Sequence, residues 1–225
     1  MIKNIYNLGD AALYCDFGDT VNKETNLKVI NYFNDIREKN ITGIKNIAPS
    51  YNKLIIYFDL ELTNYKKIKD TVENLDISTF KSVKTKIVKI PVCFDDEFAL
   101  DLERVEKKVG LGKKEIVNQL ISQKYFCYMT GFIAGMPFLG DTKKKIRLDR
   151  LETPRVKVPK GSVGITEQFC NIYTFESPGG WNIIGNSPKK IFTKDPTKLT
   201  LIDPGDEVEF FEISKKEYSK FNEQK

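Results

Sequence analysis

Ser177-Pro178-Gly179-Gly180-Trp181-Asn182-Ile183-Ile184-Gly185 decides how the second half of this chain is read. Proline fixes one backbone torsion, and paired glycines accept torsions closed to other residues, so the first four residues form a turn of defined shape. The chain's single tryptophan follows, and then a β-prone run. From Tyr125 onward the same alternation of short β-prone runs with Gly and Pro recurs. Its other members are Gly131-Phe132-Ile133-Ala134-Gly135-Met136-Pro137-Phe138-Leu139-Gly140, Thr153-Pro154-Arg155, Val158-Pro159-Lys160-Gly161-Ser162-Val163 and Pro204-Gly205-Asp206-Glu207-Val208. Short strands at such spacing predict a closed barrel or a sandwich. Rigid loops on a β scaffold commonly present a binding surface, and these carry Arg155, Ser162, Ser177 and Trp181.

Outward from that region the pattern changes. Asp101 to Val109 and Glu115 to Ile121 read as two short helices, with Gly110 and Gly112 between them. The N-terminal third alternates strand and helix signals. Ile2 to Tyr6 and Ala11 to Phe17 are β-prone around the turn Asn7-Leu8-Gly9-Asp10. Asn22 can cap a helix to about Lys39, with Leu27, Ile30 and Phe33 on one face and Asn40 and Gly43 ending it. Strands follow at Ile44 to Ala48 and Leu54 to Phe58, a second helix at Asn64 to Leu75, and a long strand region at Phe80 to Val92. After its β-rich start, this part reads as α-β-β-α-β, close to a split βαβ sandwich. The tail after Ser214 is charged and is expected to fray.

Composition removes whole function classes. The 225 residues include 36 Lys and Arg against 31 Asp and Glu, a net charge of +5. The charges are mixed, and the one dense run, Lys143-Lys144-Lys145 with Arg147 and Arg150, reads as a solvated loop or as a patch for phosphate or an acidic partner. No basic stripe with interleaved aromatics supports nucleic-acid binding. Cys15, Cys93, Cys127 and Cys170 are too scattered for a zinc site, so no metal ligand is expected. The start lacks the apolar core of a signal peptide and no run matches a membrane span, which predicts a cytoplasmic protein with reduced thiols. The chain has no histidine. That excludes Ser-His-Asp and Cys-His catalysis and leaves acid–base work to Asp, Glu, Lys, Tyr, Cys or a partner. Gly110-Leu111-Gly112-Lys113-Lys114 lacks the glycine and the Ser or Thr of a phosphate loop, and Gly161-Ser162-Val163-Gly164 is not a nucleophile elbow.

The linked segments carry a resemblance. Leu8-Gly9-Asp10-Ala11-Ala12-Leu13, Phe17-Gly18-Asp19, Gly131-Phe132, Phe138-Leu139-Gly140, Thr153-Pro154-Arg155, Pro159-x-Gly161-Ser162-Val163 and Ser177-Pro178-Gly179-Gly180-Trp181 stand in order. Over nearly its whole length the chain resembles the family of B-type 5-oxoprolinase subunits, also called allophanate hydrolase subunit 1 or the KipI family. It departs from that family's pattern at Leu120, Ala134, Met136, Asn182 and Asn186, where relatives usually carry His, Pro, an aromatic residue, His and Arg. The resemblance implies an α+β protein: a ferredoxin-like α/β sandwich over 1–88, a cyclophilin-like β-barrel over 89–215 and a charged tail over 216–225.

It also implies a reaction, the ATP-dependent opening of 5-oxoproline to glutamate. A lactam is a poor electrophile, and phosphorylating its oxygen makes water's attack feasible. Such chemistry needs cation clamps and carboxylate-held Mg²⁺. The chain offers no complete set, so ATP and Mg²⁺ are expected only at the level of a complex. The implied partners are the C-type (KipA-like) and A-type companion subunits of 5-oxoprolinase, with a composite site between chains. Arg155 is the expected catalytic residue, since its fork suits a carboxylate or phosphate. Phe132, Pro137, Lys160, Ser162, Ser177, Gly179, Trp181 and Asn182 are the expected substrate- or partner-binding residues. Two other readings are a KipI-type inhibitor that binds a sensor histidine kinase, and an accessory module in urea or allophanate metabolism.

Overall fold

The computed structural model describes residues 1–76, 85–195 and 197–223, the side chains of 222 and 223 excepted. The chain forms two units, Met1–Lys84 and Thr85–Lys225. The part of the expected Phe80 to Val92 strand that falls within 77–84 lies outside the described residues.

The first unit runs β1 (Asn4–Asn7), β2 (Ala12–Asp16), α1 (Lys23–Lys39), β3 (Ile44–Pro49), β4 (Lys53–Phe58) and α2 (Tyr65–Glu73). Its antiparallel sheet has the order β1-β2-β4-β3. Alternation decides which side chains go inside: Leu13 and Cys15 from β2, and Leu54, Ile56 and Phe58 from β4, form the core with Val29, Tyr32 and Ile36 of α1 and Ile68 and Val72 of α2. The Asn22 side chain accepts the Thr25 N–H at 2.8 Å, which satisfies one free donor at the start of α1. Asn40 ends the helix at φ 44°, a left-handed cap that asparagine tolerates. The edge beside β2 is held by β1, a strand from the chain's start.

The second unit contains β5 (Ile87–Val92), α3 (Leu102–Val109), α4 (Lys113–Ile121), β6 (Lys124–Thr130), β7 (Pro137–Gly140), β8 (Arg155–Val158), β9 (Ser162–Thr166), β10 (Phe169–Ile172), β11 (Ser177–Gly179), β12 (Asn182–Asn186), β13 (Glu207–Glu212) and α5 (Lys215–Glu223). A seven-stranded sheet has the order β12-β9-β10-β7-β6-β13-β5, and β8 pairs with β11 as a separate two-stranded ribbon. All pairs are antiparallel except β13 with β5. The sheet's two edges meet at one place. The Cys93 N–H donates to the Asn186 carbonyl at 2.8 Å, and the Asn186 N–H returns the bond at 2.9 Å. One face of the sheet, including Ile90, Val92, Leu139, Val163, Ile165, Cys170, Ile172 and Ile184, packs with Leu102 and Val105 of α3 and Ile116, Val117 and Leu120 of α4. Leu120 is therefore a core residue.

Two boundaries differ from expectation. Ile87 and Val88 already pair with Glu207 and Val208, so the second unit takes in β5 from its start rather than beginning at residue 89. The charged tail is a helix, α5. Ser214-Lys215-Lys216-Glu217 is a capping box: the Glu217 carboxylate accepts from the Ser214 N–H at 2.8 Å and hydroxyl at 2.7 Å, and the Ser214 hydroxyl accepts the Glu217 N–H at 3.3 Å. The helix is docked as well as capped. The Tyr218 hydroxyl donates to Asn186 at 2.8 Å, and its ring lies 4.4 Å from that of Phe98.

Candidate functional site

The second unit's sheet has another face, and there the sequence motifs converge. Phe138 on β7 stands opposite Asn171 on β10, Asn171 opposite Gly164 on β9, and Gly164 opposite Ile183 on β12. This cross-strand row faces a small apolar cluster of Met136, Val158, Tyr173 and Ile183, with Ile133 and Phe138 against it. Trp181 meets the Phe138 ring edge-on at 5.5 Å. Asn171 is the one amide in the row. It is 0% exposed, and neither its Oδ1 nor its Nδ2 has a hydrogen-bond partner. A buried amide left unbonded costs about 1–3 kcal/mol for each orphaned group.

The two glycines of Ser-Pro-Gly-Gly-Trp have separate steric reasons. A Cβ on Gly179 would lie 2.2 Å from the Tyr173 hydroxyl. A Cβ on Gly180 would lie 3.5 Å from the Arg150 guanidinium, in ordinary contact. Ser177–Gly179 is thus a strand rather than the expected turn; its last glycine admits a buried phenol, and Gly180 leaves the backbone open beside a cation. Burial pushes the Tyr173 phenol above its usual range, while the Asn171 amide, the Arg150 charge, the Trp181 backbone and the Arg155 charge pull it back. The Asn171 amide is thus near the phenol without forming a well-aligned hydrogen bond to it.

Arg155 is committed elsewhere. Its two Nη groups donate to the two Asp101 oxygens at 2.8 and 2.6 Å. Asp101 Oδ2 also accepts the Ile183 N–H at 2.7 Å, and the Asp101 N–H donates to the Ile183 carbonyl at 2.8 Å. Asp101 is buried and the Arg155 side chain is 29% exposed, so this two-point pair clasps the β8–β11 ribbon onto β12 and the start of α3. Asn182 is committed too. Its Oδ1 accepts from Arg104, and its Nδ2 donates to the carbonyls of Asp149 and Ile165 at 3.0 and 3.1 Å. Asn182 is fully buried, and its amide is bonded internally.

The remaining expected residues divide. Trp181 and Gly179 lie beside the row, Gly179 pairing in register with Arg155, while Pro137 precedes Phe138 on β7 and pairs with Thr130. Ser177 pairs with Val158 and spends its hydroxyl on the Pro178 carbonyl at 3.3 Å. Ser162 is buried at the start of β9, where its carbonyl accepts the Tyr173 N–H at 2.9 Å. Lys160 sits in the β8–β9 turn, where its carbonyl accepts from Asn186 at 2.9 Å. Phe132 is 66% exposed on the β6–β7 loop at φ 68°, an unusual backbone for an aromatic residue. Sequence reasoning missed Asn171, Tyr173 and Asp101, and read Arg150 only as part of a basic run.

Comparison with known proteins places this arrangement. Residues 3–202 match the family described as carboxyltransferase domain, subdomain C and D. The chain belongs to this family. Within it, the chain is 33% identical to the B-type 5-oxoprolinase subunit of Bacillus subtilis strain 168, over 98% of this chain and 97% of that one. It is 21% identical to urea amidolyase of Lachancea kluyveri, covering 96% of this chain but 14% of that protein. The crystal structure of TTHA0988 superimposes with a TM-score of 0.83 at 27% identity, covering 91% of this chain and 41% of that one. This carboxyltransferase-family fold is therefore found both as a whole chain and as one part of longer chains.

Proposed function

We propose that this chain is a component of an ATP-dependent 5-oxoprolinase and supplies one wall of a site completed by a companion chain. The end-to-end match to a B-type 5-oxoprolinase subunit carries the reading. The urea-metabolism reading is weaker, because the chain corresponds to 14% of the urea amidolyase it matches.

The chemistry of the chain favours a shared site. The chain has no histidine. Among the described residues no group of three or more Cys, Asp or Glu side chains is placed to hold a metal ion. Mg²⁺ and ATP enter this reading as cofactors of the assembled complex, held by the C-type or A-type companions. Arg155, the first choice on sequence, positions the β8–β11 ribbon through Asp101 in this reading. Trp181 and Phe138 form an apolar wall. No helix among the described residues is long and apolar enough to cross a membrane, which fits the cytoplasmic setting we propose. On fold, we read the first unit as a ferredoxin-like sandwich whose outer strand is β1. We read the second as a cyclophilin-like barrel, supported by the meeting of its edges at Cys93 and Asn186.

The test is to assay the chain with its companions for ATP-dependent release of glutamate from 5-oxoproline, and in parallel for breakdown of allophanate. Turnover of 5-oxoproline alone is expected. Turnover of allophanate alone transfers the chain to urea metabolism.

A further inference from the structure

Two groups in the second unit have no internal explanation, and both lie beside Tyr173. Asn171 is wholly buried with both amide atoms unbonded. Arg150 is exposed, and among the described residues it has no hydrogen-bond or ion-pair partner; its charge acts on the Tyr173 phenol. Arg155 is neutralised by Asp101, which leaves Arg150 as the cation at this place still open to an anion. Beside the two groups stand the Tyr173 hydroxyl and the Gly179-Gly180 backbone at the end of β11, with Trp181 and Phe138 nearby.

We propose that Arg150, Tyr173 and Asn171 form the recognition site for a small cyclic amide bearing a carboxylate. The proposal rests on the 5-oxoprolinase reading for the ligand's identity, and it assigns the residues that read it. The carboxylate pairs with the Arg150 guanidinium, whose fork matches it. A ring amide is held cis, so its C=O and N–H lie side by side. A carboxamide presents the complementary N–H and C=O, and Asn171 can bond both at once. The Trp181 and Phe138 rings cover the methylenes. A phosphate fits less well, because its tetrahedral oxygens do not match the side-by-side N–H and C=O of a carboxamide. Trp181 packs over this row, so it must shift for the ring to reach Asn171.

Trp181 is the chain's one tryptophan, so its fluorescence reports on this site alone. The experiment titrates the full chain with 5-oxoproline, with 2-pyrrolidinone (the same ring without the carboxylate) and with inorganic phosphate. The wild type is expected to respond to 5-oxoproline, more weakly to 2-pyrrolidinone and not to phosphate. Arg150→Gln is expected to weaken 5-oxoproline binding at least tenfold and to leave 2-pyrrolidinone unchanged. Asn171→Leu is expected to abolish the response to both rings. Arg150 is exposed, so its variant decides the matter even where Asn171→Leu disturbs folding. A silent wild type, an equal response in Arg150→Gln, or an equal response to phosphate overturns the assignment. Intact lactam binding in a complex without turnover sinks the 5-oxoprolinase reading and leaves the recognition site standing.

Discussion

At the scale of single residues, the Asp101–Arg155 clasp shows what one sequence hides. Thr153-Pro154-Arg155 stands out as a motif, but its partner lies 54 residues away. Nothing in the local pattern distinguishes Asp101 from an ordinary start of a helix. The paired glycines suggested a turn, but Ser177–Gly179 is strand β11 and neither glycine has a positive φ; the reasons for them, a buried phenol and a cation, were hidden, because Tyr173 and Arg150 reach them only through the fold. Asn171 lies between Cys170 and Ile172 and reads as the solvent face of an alternating strand, yet a second apolar cluster covers that face. The clasp makes a quantitative prediction. Asp101→Ala strands a part-buried guanidinium and orphans the Ile183 N–H, and should cost about 2–4 kcal/mol in urea unfolding. The double variant with Arg155→Ala should cost less than the sum of the single changes, because the two side chains share one interaction. Additive costs would show that the pair contributes nothing.

At the scale of elements, helix ends were the most legible features, because their signals are local. Asn22 and Asn40 bound α1 as their residue types suggest. The same local logic was available at Ser214-Lys215-Lys216-Glu217, where charge-rich composition hid a capping box and hence α5. Strand partners were not legible. The parallel pairing of β5 with β13 joins Ile87 to Glu207, and no periodicity carries that information. Lys86 ties this junction, with its Nζ 2.8 Å from Asp203 and 3.0 Å from Asp206. Burial pushes the Asp203 carboxyl up, but hydrogen bonds from Lys86 and Thr200 outweigh it, and its pKa lies below the usual carboxylate range. A depressed folded pKa stabilises above the unfolded value of roughly 3.9 and is lost as pH falls through the folded one. Lys86→Met should therefore cost about 1 kcal/mol at neutral pH, a part-exposed pair being screened, and progressively less in acid. Urea unfolding of both proteins at pH 7 and below pH 4 reads the difference; a cost independent of pH rejects the clasp.

At the scale of the molecule, the change from alternating strand and helix signals to Gly- and Pro-rich loops was legible, while the α+β, two-part fold was what the resemblance implied. Which loops surround the candidate site did not follow, since that depends on strand order. The scattered cysteines do report on the whole chain. All four are buried and free. Burial pushes the Cys15 thiol up to about 12, and raises Cys93, Cys127 and Cys170 as well. Protonated and covered, they should label with a thiol reagent at least about a hundredfold more slowly in the native protein than in urea. A fast-reacting native thiol would contradict this packing. The central claim is that the chain completes a 5-oxoprolinase without being one alone. The direct measurement is ATP-dependent glutamate formation from 5-oxoproline by this chain, by its companions, and by the mixture. The account predicts turnover in the mixture and none in either part; turnover by the companions without this chain, or none in the mixture, contradicts it.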